Sequence, residues 1–203
     1  MTSDPLRLTG EVDDATARLL RTTAGLDESS LAAASLLPGW TRGHVLAHLA
    51  RNADGFVNLL TAARTGETIP MYASPAARSS DIEAGASRPQ AAHLDDLRRT
   101  ADRFAEAVGG DAGRGVGAPP STPRRGPWSA AYLVWGRLRE VEVHHVDLAV
   151  EYRPPTGRRR SATGSCARWP PAWPGAPTCR SWCCAATAGS TTWLSVTAPP
   201  PPR

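Results

Sequence analysis

The sequence predicts an all-α protein, in which residues 1–153 form a four-helix bundle and residues 154–203 form a poorly structured tail. Two observations predict the bundle. Apolar residues recur at helical spacing in four segments, and loops rich in Gly, Pro or Ser separate these segments. No strand-like alternation occurs before residue 152. Helices of this length joined by polar loops form bundles, and 203 residues suffice for one domain with a sizeable core.

The first helical segments lie before Trp40. A helix is predicted over about residues 9–23, where Val12, Ala15 and Leu19 fall on one stripe. A short helical turn follows Asp27, whose side chain is a candidate N-cap. The turn LPGW then leads into the next long helix.

The second long helix is predicted over about residues 41–64. Thr41 can cap its start by accepting a backbone N–H, and Gly66 stands just past its end. Residues 67–87 are rich in Ser, Ala and Pro, and this composition predicts a long loop.

The last two helices are predicted over about residues 89–108 and 129–150. Pro89 suits the first turn of the former, and Gly109 and Gly110 are its expected stop. Residues 110–127 are dense in Gly and Pro and predict a second loop.

The charge distribution argues against a nucleic-acid partner. All 23 basic residues are arginine. Residues 1–151 hold 16 of them and all 19 acids, a net charge of −3, whereas residues 152–203 hold seven arginines and no acid. A nucleic-acid interface would therefore depend on the tail alone. No apolar run is long enough for a membrane span and no signal peptide is evident, so we expect a cytoplasmic protein with no membrane partner. Oligomeric state is not indicated.

Glu140, His144 and His48 form a candidate metal site. Glu140 and His144 stand four residues apart, which places both on one face of a helix, and a second helix carries His48. Two histidines and a carboxylate are the ligands of an open catalytic zinc site. A different rotation of the last helix would turn His145 inward instead. Such pairs also occur on ordinary helix faces, where the histidines are purely structural.

Two motifs carry a resemblance to a known family. The runs LPGWTRGHVLAHLARNADG and RLREVEVHHVDLAVEYRP, at their separation in this chain, resemble the mycothiol-dependent maleylpyruvate isomerases. The N-terminal metal-binding domain of that family is a DinB-like four-helix bundle. The resemblance implies that His48, Glu140 and His144 bind a divalent metal, with zinc favoured, and Asp147 could orient a ligand histidine.

The resemblance also implies a reaction, the metal-dependent and mycothiol-dependent conversion of maleylpyruvate to fumarylpyruvate. The thiolate of mycothiol would add to the cis double bond, and its expulsion after rotation would leave the trans product. No protein nucleophile is then needed, and no catalytic residue is assigned. Arginines could hold the substrate carboxylates by paired hydrogen bonds, without any particular one being indicated.

Two other functions fit the same residues. One is a mycothiol S-transferase of the DinB-like type, which would transfer the thiol to an electrophile. The other is a metal-binding module without catalysis. Substrate choice depends on pocket shape, which these motifs do not reveal.

The tail differs in composition from the rest of the chain. Residues 154–203 hold all four cysteines, four of the seven tryptophans and ten prolines. We interpret this segment as an out-of-frame remnant of a small C-terminal α/β domain. Trp, Cys and Ser codons shifted by one base encode mostly Leu, Val, Met, Ile or Phe. The shifted positions recur at helical spacing, at Ser161, Ser165, Cys166, Trp169 and Trp173. Such a frameshift would impair activity.

Overall fold

A computed structural model of the chain describes residues 5–112 and 130–154, and these residues are helical apart from short connections. The helices are α1 (Pro5–Ala24), α2 (Glu28–Ala32), α3 (Arg42–Thr65), α4 (Pro75–Ala86), α5 (Gln90–Ala112) and α6 (Ala130–Asp147). Within the described ranges there is no strand, only one isolated bridge between Ala34 and Thr41. The predicted all-α class is confirmed. The predicted tail, residues 154–203, lies outside the described residues apart from Pro154, and so does the second predicted loop from residue 113 onwards.

Four long helices form the bundle. α3 packs against α5 and α6, and α1 packs against the same two helices from the other side. Their shared interior is apolar, as the periodicity predicted, and includes Val12, Ala15, Leu19, Val45, Leu49, Leu97, Phe104, Leu133, Val141 and Leu148. None of the helices in the described residues is both long and apolar enough to cross a bilayer.

The ends of α3 are fixed by its own sequence. Thr41 Oγ1 accepts the backbone N–H of His44, and His44 Nδ1 accepts that of Thr41, a reciprocal capping box. Gly66 ends the helix with a φ of 77°, which favours glycine. The predicted caps Thr41 and Gly66 are thus confirmed, as is Asp27 for α2, where its carboxylate accepts the N–H of Ser30.

The predicted loop over residues 67–87 is wrong for its second half, because α4 lies there. Ser74 caps α4 by accepting the N–H of Ala77, and Pro75 occupies its first turn. α4 approaches α3 very closely. A Cβ at Gly43 would lie 2.0 Å from the carbonyl oxygen of Ala86, and a Cβ at Gly85 would lie 2.8 Å from the side chain of Ala47. Small residues on both helices therefore permit this contact.

Two predicted helix ends are also corrected. α5 continues through Gly109 and Gly110 to Ala112, since glycine within a helix costs only about 1 kcal/mol and does not by itself end it. α6 ends at Asp147, short of Val150, and Ala149 takes a left-handed φ of 54°. The guanidinium of Arg42 donates to the Leu148 carbonyl at 2.5 Å, so the start of α3 satisfies the end of α6.

Candidate metal centre

The side chains of His48, Glu140 and His144 converge where α3 crosses α6. His48 Nε2 lies 3.1 Å from His144 Nε2, and each of these nitrogens lies 3.5 Å from Glu140 Oε2. His48 is 4% exposed, while the side chains of His144 and Glu140 are 13% and 25% exposed. The three donor atoms thus form a small triangle at a partly open position between the two helices.

These distances match the geometry of a tetrahedral ion. Zinc binds histidine nitrogen and carboxylate oxygen at about 2.0–2.1 Å, so two ligand atoms of a tetrahedral site lie about 3.3 Å apart. The observed separations of 3.1, 3.5 and 3.5 Å bracket that value. Three protein donors would leave a fourth position for another ligand, as in catalytic rather than structural zinc sites. The residues present therefore fit a divalent metal.

Polar neighbours hold both α6 donors in place. Asp147 Oδ2 lies 2.7 Å from His144 Nδ1, and a carboxylate accepts, so this ring nitrogen carries the proton and Nε2 faces the other donors. Asn52 Nδ2 donates to Glu140 Oε2 at 3.3 Å. The amide of Asn52 is fixed in turn by buried Arg137, which donates to its Oδ1 at 2.8 Å and to the Leu49 carbonyl at 2.9 Å.

The three donors differ in their affinity for protons. Burial lowers the pKa of His48 to about 4, which keeps the imidazole neutral. Burial also disfavours the charged form of His144, but hydrogen bonds to Asp147 and Glu140 outweigh it and raise its pKa to about 9. Burial would raise the pKa of Glu140, yet hydrogen bonds from His144 and His48 hold it well below its usual range. The site is thus a carboxylate beside one neutral and one protonated imidazole.

Comparison with known proteins assigns this bundle to a family. The family model described as Mycothiol maleylpyruvate isomerase N-terminal domain matches residues 12–149, which include His48, Glu140 and His144. The chain belongs to this family. The resemblance carried by the two sequence motifs is therefore confirmed, and the matched range extends from the first turns of α1 to just beyond α6.

Two solved structures are similar to this maleylpyruvate isomerase family member. They are crystal structures of the mycothiol-dependent maleylpyruvate isomerase and of a histidine-to-alanine mutant of that enzyme. Each is 28% identical in sequence with a TM-score of 0.71, and the match covers 82% of this chain and 72% of theirs. No curated protein matched in the corresponding search.

In this family member, Arg78 and Trp40 contact His48, and Tyr72 contacts Arg78. Arg78 of α4 places Nη2 3.2 Å from His48 Nδ1. The guanidinium of Arg78 lies over the ring of Tyr72, 5.6 Å from its centroid, and Trp40 meets the imidazole of His48 edge-on at 5.6 Å. Sequence reasoning missed all three. The signal that could have placed Arg78 was the Ser74–Pro75 pair, which marks a helix start.

His145 belongs to a different cluster, on the α1 side of α6. Its Nε2 lies 2.8 Å from Thr22 Oγ1, and its ring stacks on Tyr152 with centroids 3.4 Å apart. Beside it, Glu142 accepts from Arg18 at 3.0 Å and from the Tyr152 hydroxyl at 2.5 Å. His145 is therefore not among the three converging donors, although the sequence left it as an alternative to His144.

Proposed function

We propose that the chain is a divalent-metal-dependent, mycothiol-dependent cis–trans isomerase that converts maleylpyruvate to fumarylpyruvate, with zinc held by His48, Glu140 and His144. One observation carries the proposal. In a chain of this family, two imidazole nitrogens and a carboxylate oxygen from α3 and α6 lie 3.1–3.5 Å apart. That donor set and spacing suit an ion with a vacant coordination position.

The chain's own residues would prepare this site before any ligand arrives. Asp147 accepts the Nδ1–H of His144, so the proton that an incoming ion displaces is the one on Nε2, which faces the other two donors. Asn52 holds the carboxylate of Glu140, and Arg137 fixes Asn52 from the bundle interior. A zinc ion bound here would supply the positive charge that converts a thiol to a thiolate near neutral pH.

The protein part of the site offers no thiol of its own. All four cysteines fall between residues 166 and 184, and residues 5–112 and 130–154 contain none. The described residues that form the site therefore contribute no thiolate for addition to a double bond. This supports mycothiol as the cofactor, in agreement with the family.

The test uses the full chain with zinc, mycothiol and maleylpyruvate, and measures fumarylpyruvate formed with time. We expect turnover that requires both zinc and mycothiol and that falls to background in His48→Ala. Consumption of mycothiol by an added electrophile without isomerisation would instead indicate an S-transferase. Stoichiometric zinc with neither reaction would contradict the catalytic proposal and leave a metal-binding module.

A further inference from the structure

In the part of the chain that the structure describes, Arg78 has neither of the two kinds of partner that other arginines packed on the bundle have. Arg42 and Arg137 donate to carbonyl or amide oxygens, and a second group of arginines pairs with carboxylates. Arg51 pairs with Asp96 at 2.6 Å, Arg103 with Asp54 at 2.6 Å, and Arg18 with Glu142 at 3.0 Å. Arg78 is half-buried, yet no carboxylate of the described residues lies within ion-pairing distance of it. Instead, its guanidinium contacts an imidazole nitrogen of the candidate metal site and the face of a tyrosine ring.

The contact between Arg78 and His48 conflicts with metal binding. A guanidinium can only donate, so the 3.2 Å contact requires a lone pair on Nδ1 of His48 and places that ring's proton on Nε2. Ligation through Nε2 requires the lone pair there, and the neutral ring then carries its proton on Nδ1. Two donors would face each other. Metal binding therefore leaves the Arg78 guanidinium in need of another acceptor beside the ion.

We propose that Arg78 binds a carboxylate of the substrate next to the metal, and so selects a dicarboxylate for this site. The inference rests on the proposed function, since maleylpyruvate carries two carboxylates. A guanidinium offers a planar fork of donors that matches both oxygens of a carboxylate. Half-burial strengthens such a pair relative to one in water, and a neutral substrate would leave the charge unpaired.

The surroundings hold Arg78 in position for this role. The ring of Tyr72 lies under the guanidinium, an arrangement that favours a cation and restricts its motion. Burial raises the pKa of Tyr72, which keeps its hydroxyl protonated and the ring neutral. Arg78 lies in the first turns of α4, and the close packing of Gly43 and Gly85 fixes that helix against α3.

The experiment measures maleate binding by calorimetry to the zinc-loaded full chain, with zinc content determined before and after each titration. Maleate is a cis-dicarboxylate without a thiol requirement, so the readout does not depend on turnover. Loss of a charged pair predicts that Arg78→Gln weakens the Kd for maleate about 10- to 100-fold. Arg78→Lys should recover part of the affinity, because it keeps the charge but loses the fork.

Arg64→Gln is the matched control. Arg64 is exposed on the same helix as His48, about 24 Å away at 1.5 Å per residue. The Arg64→Gln protein should therefore bind maleate with the same Kd as the wild type. An unchanged maleate Kd in zinc-saturated Arg78→Gln would overturn the inference, as would absence of saturable maleate binding to the wild type. A variant that loses zinc but, once saturated, binds maleate normally would show that Arg78 only orients His48. Arg78-dependent maleate binding without isomerisation would uphold the inference while the proposed function fails.

Discussion

His144 and His145 are neighbours on α6, yet their side chains belong to two polar clusters with different partners. His144 faces α3, where its Nε2 meets another imidazole nitrogen and a carboxylate. His145 faces α1, where its Nε2 meets a hydroxyl and its ring stacks on a tyrosine. A helix turns about 100° per residue, so adjacent positions reach different neighbours. The surrounding groups therefore decide what each histidine can do.

In the α1 cluster, formed by His145, Thr22, Glu142, Arg18 and Tyr152, hydrogen-bond donors face acceptors. Glu142 accepts from both Arg18 and Tyr152, so its carboxylate is matched by protein donors. The α3 cluster instead brings Nε2 of two imidazoles to 3.1 Å of each other beside a carboxylate. Atoms that all offer lone pairs converge on one point only at a cost, unless protons or a cation lie between them. We interpret the first cluster as structural and the second as a ligand site.

The largest expected effect is on zinc affinity, which should fall on substitution of His144 but not of His145. His144→Ala should weaken zinc binding by at least about 1,000-fold, since it removes one of three ligands, whereas His145→Ala should bind one zinc with nearly wild-type affinity. Competition with a chromophoric chelator measures both Kd values. Equal losses in the two variants would contradict the division between a ligand histidine and a structural one.

Zinc should also stabilise the folded chain through the α3 cluster. A ligand that binds only the folded state adds about 4 kcal/mol at a free concentration 1,000 times its Kd. A chelator should therefore lower the melting temperature of the wild type and of His145→Ala, and leave that of His144→Ala unchanged. If all three proteins melt independently of zinc, the converging donors hold no ion.

The sequence predicted the convergence of His48, Glu140 and His144 better than it predicted the side chains around them. Two observations predicted this convergence, together with the family motifs. Glu140 and His144 are four residues apart on one helix, and His48 lies on a second amphipathic helix. Whether His144 or His145 faced α3 could not be decided, because both flanking stripes are apolar enough to be buried. The structure buries His145 fully and leaves His144 partly open, and pairs each with a different helix.

The position of Arg78 beside His48 could not be predicted from the sequence, for a different reason. The segment that carries it has a composition typical of a loop, and α4 is stabilised by contact with α3 rather than by an apolar stripe of its own. The close approach at Gly43 and Gly85 is a tertiary effect that neither segment shows alone. Likewise, the hydrogen bonds from Arg137 to Asn52 and from Asn52 to Glu140 form only because α3 packs against α6.

His145→Ala tests the structural side of the comparison. The substitution removes a fully buried ring, its hydrogen bond to Thr22 and its stacking on Tyr152, so we expect a loss of about 2–4 kcal/mol in the free energy of unfolding. Urea denaturation of the metal-free protein measures it. His44→Ala is a suitable comparison, since that half-buried histidine caps α3 and should cost only about 1 kcal/mol. A loss no larger than that of His44→Ala would count against a structural role.

Asp147 should tune the metal through His144 without binding it. Asp147→Asn weakens the acceptor for Nδ1–H at 2.7 Å, and loss of such an orienting partner costs about 10- to 100-fold in metal affinity. The exposed Asp102 on α5 provides the matched control, and Asp102→Asn should bind zinc as the wild type does. Identical zinc affinities for Asp147→Asn and the wild type would mean that the hydrogen bond does not orient the ligand.

The smallest effect, taken per pH unit, is a pH dependence of opposite sign at the two histidines in the metal-free protein. Burial lowers the pKa of His145 to about 4, so between pH 4 and about 6.5 the unfolded chain binds more protons at this position, and stability falls as the pH falls. The pKa of His144 is raised to about 9, so its contribution is present below about pH 6.5 and is lost as the pH rises towards 9. Each histidine can change the slope by at most about 1.4 kcal/mol per pH unit. Urea titrations should therefore show a flatter acid limb for His145→Gln and a flatter alkaline limb for His144→Gln. The same change in both variants would mean that the two clusters do not differ in how they hold a proton.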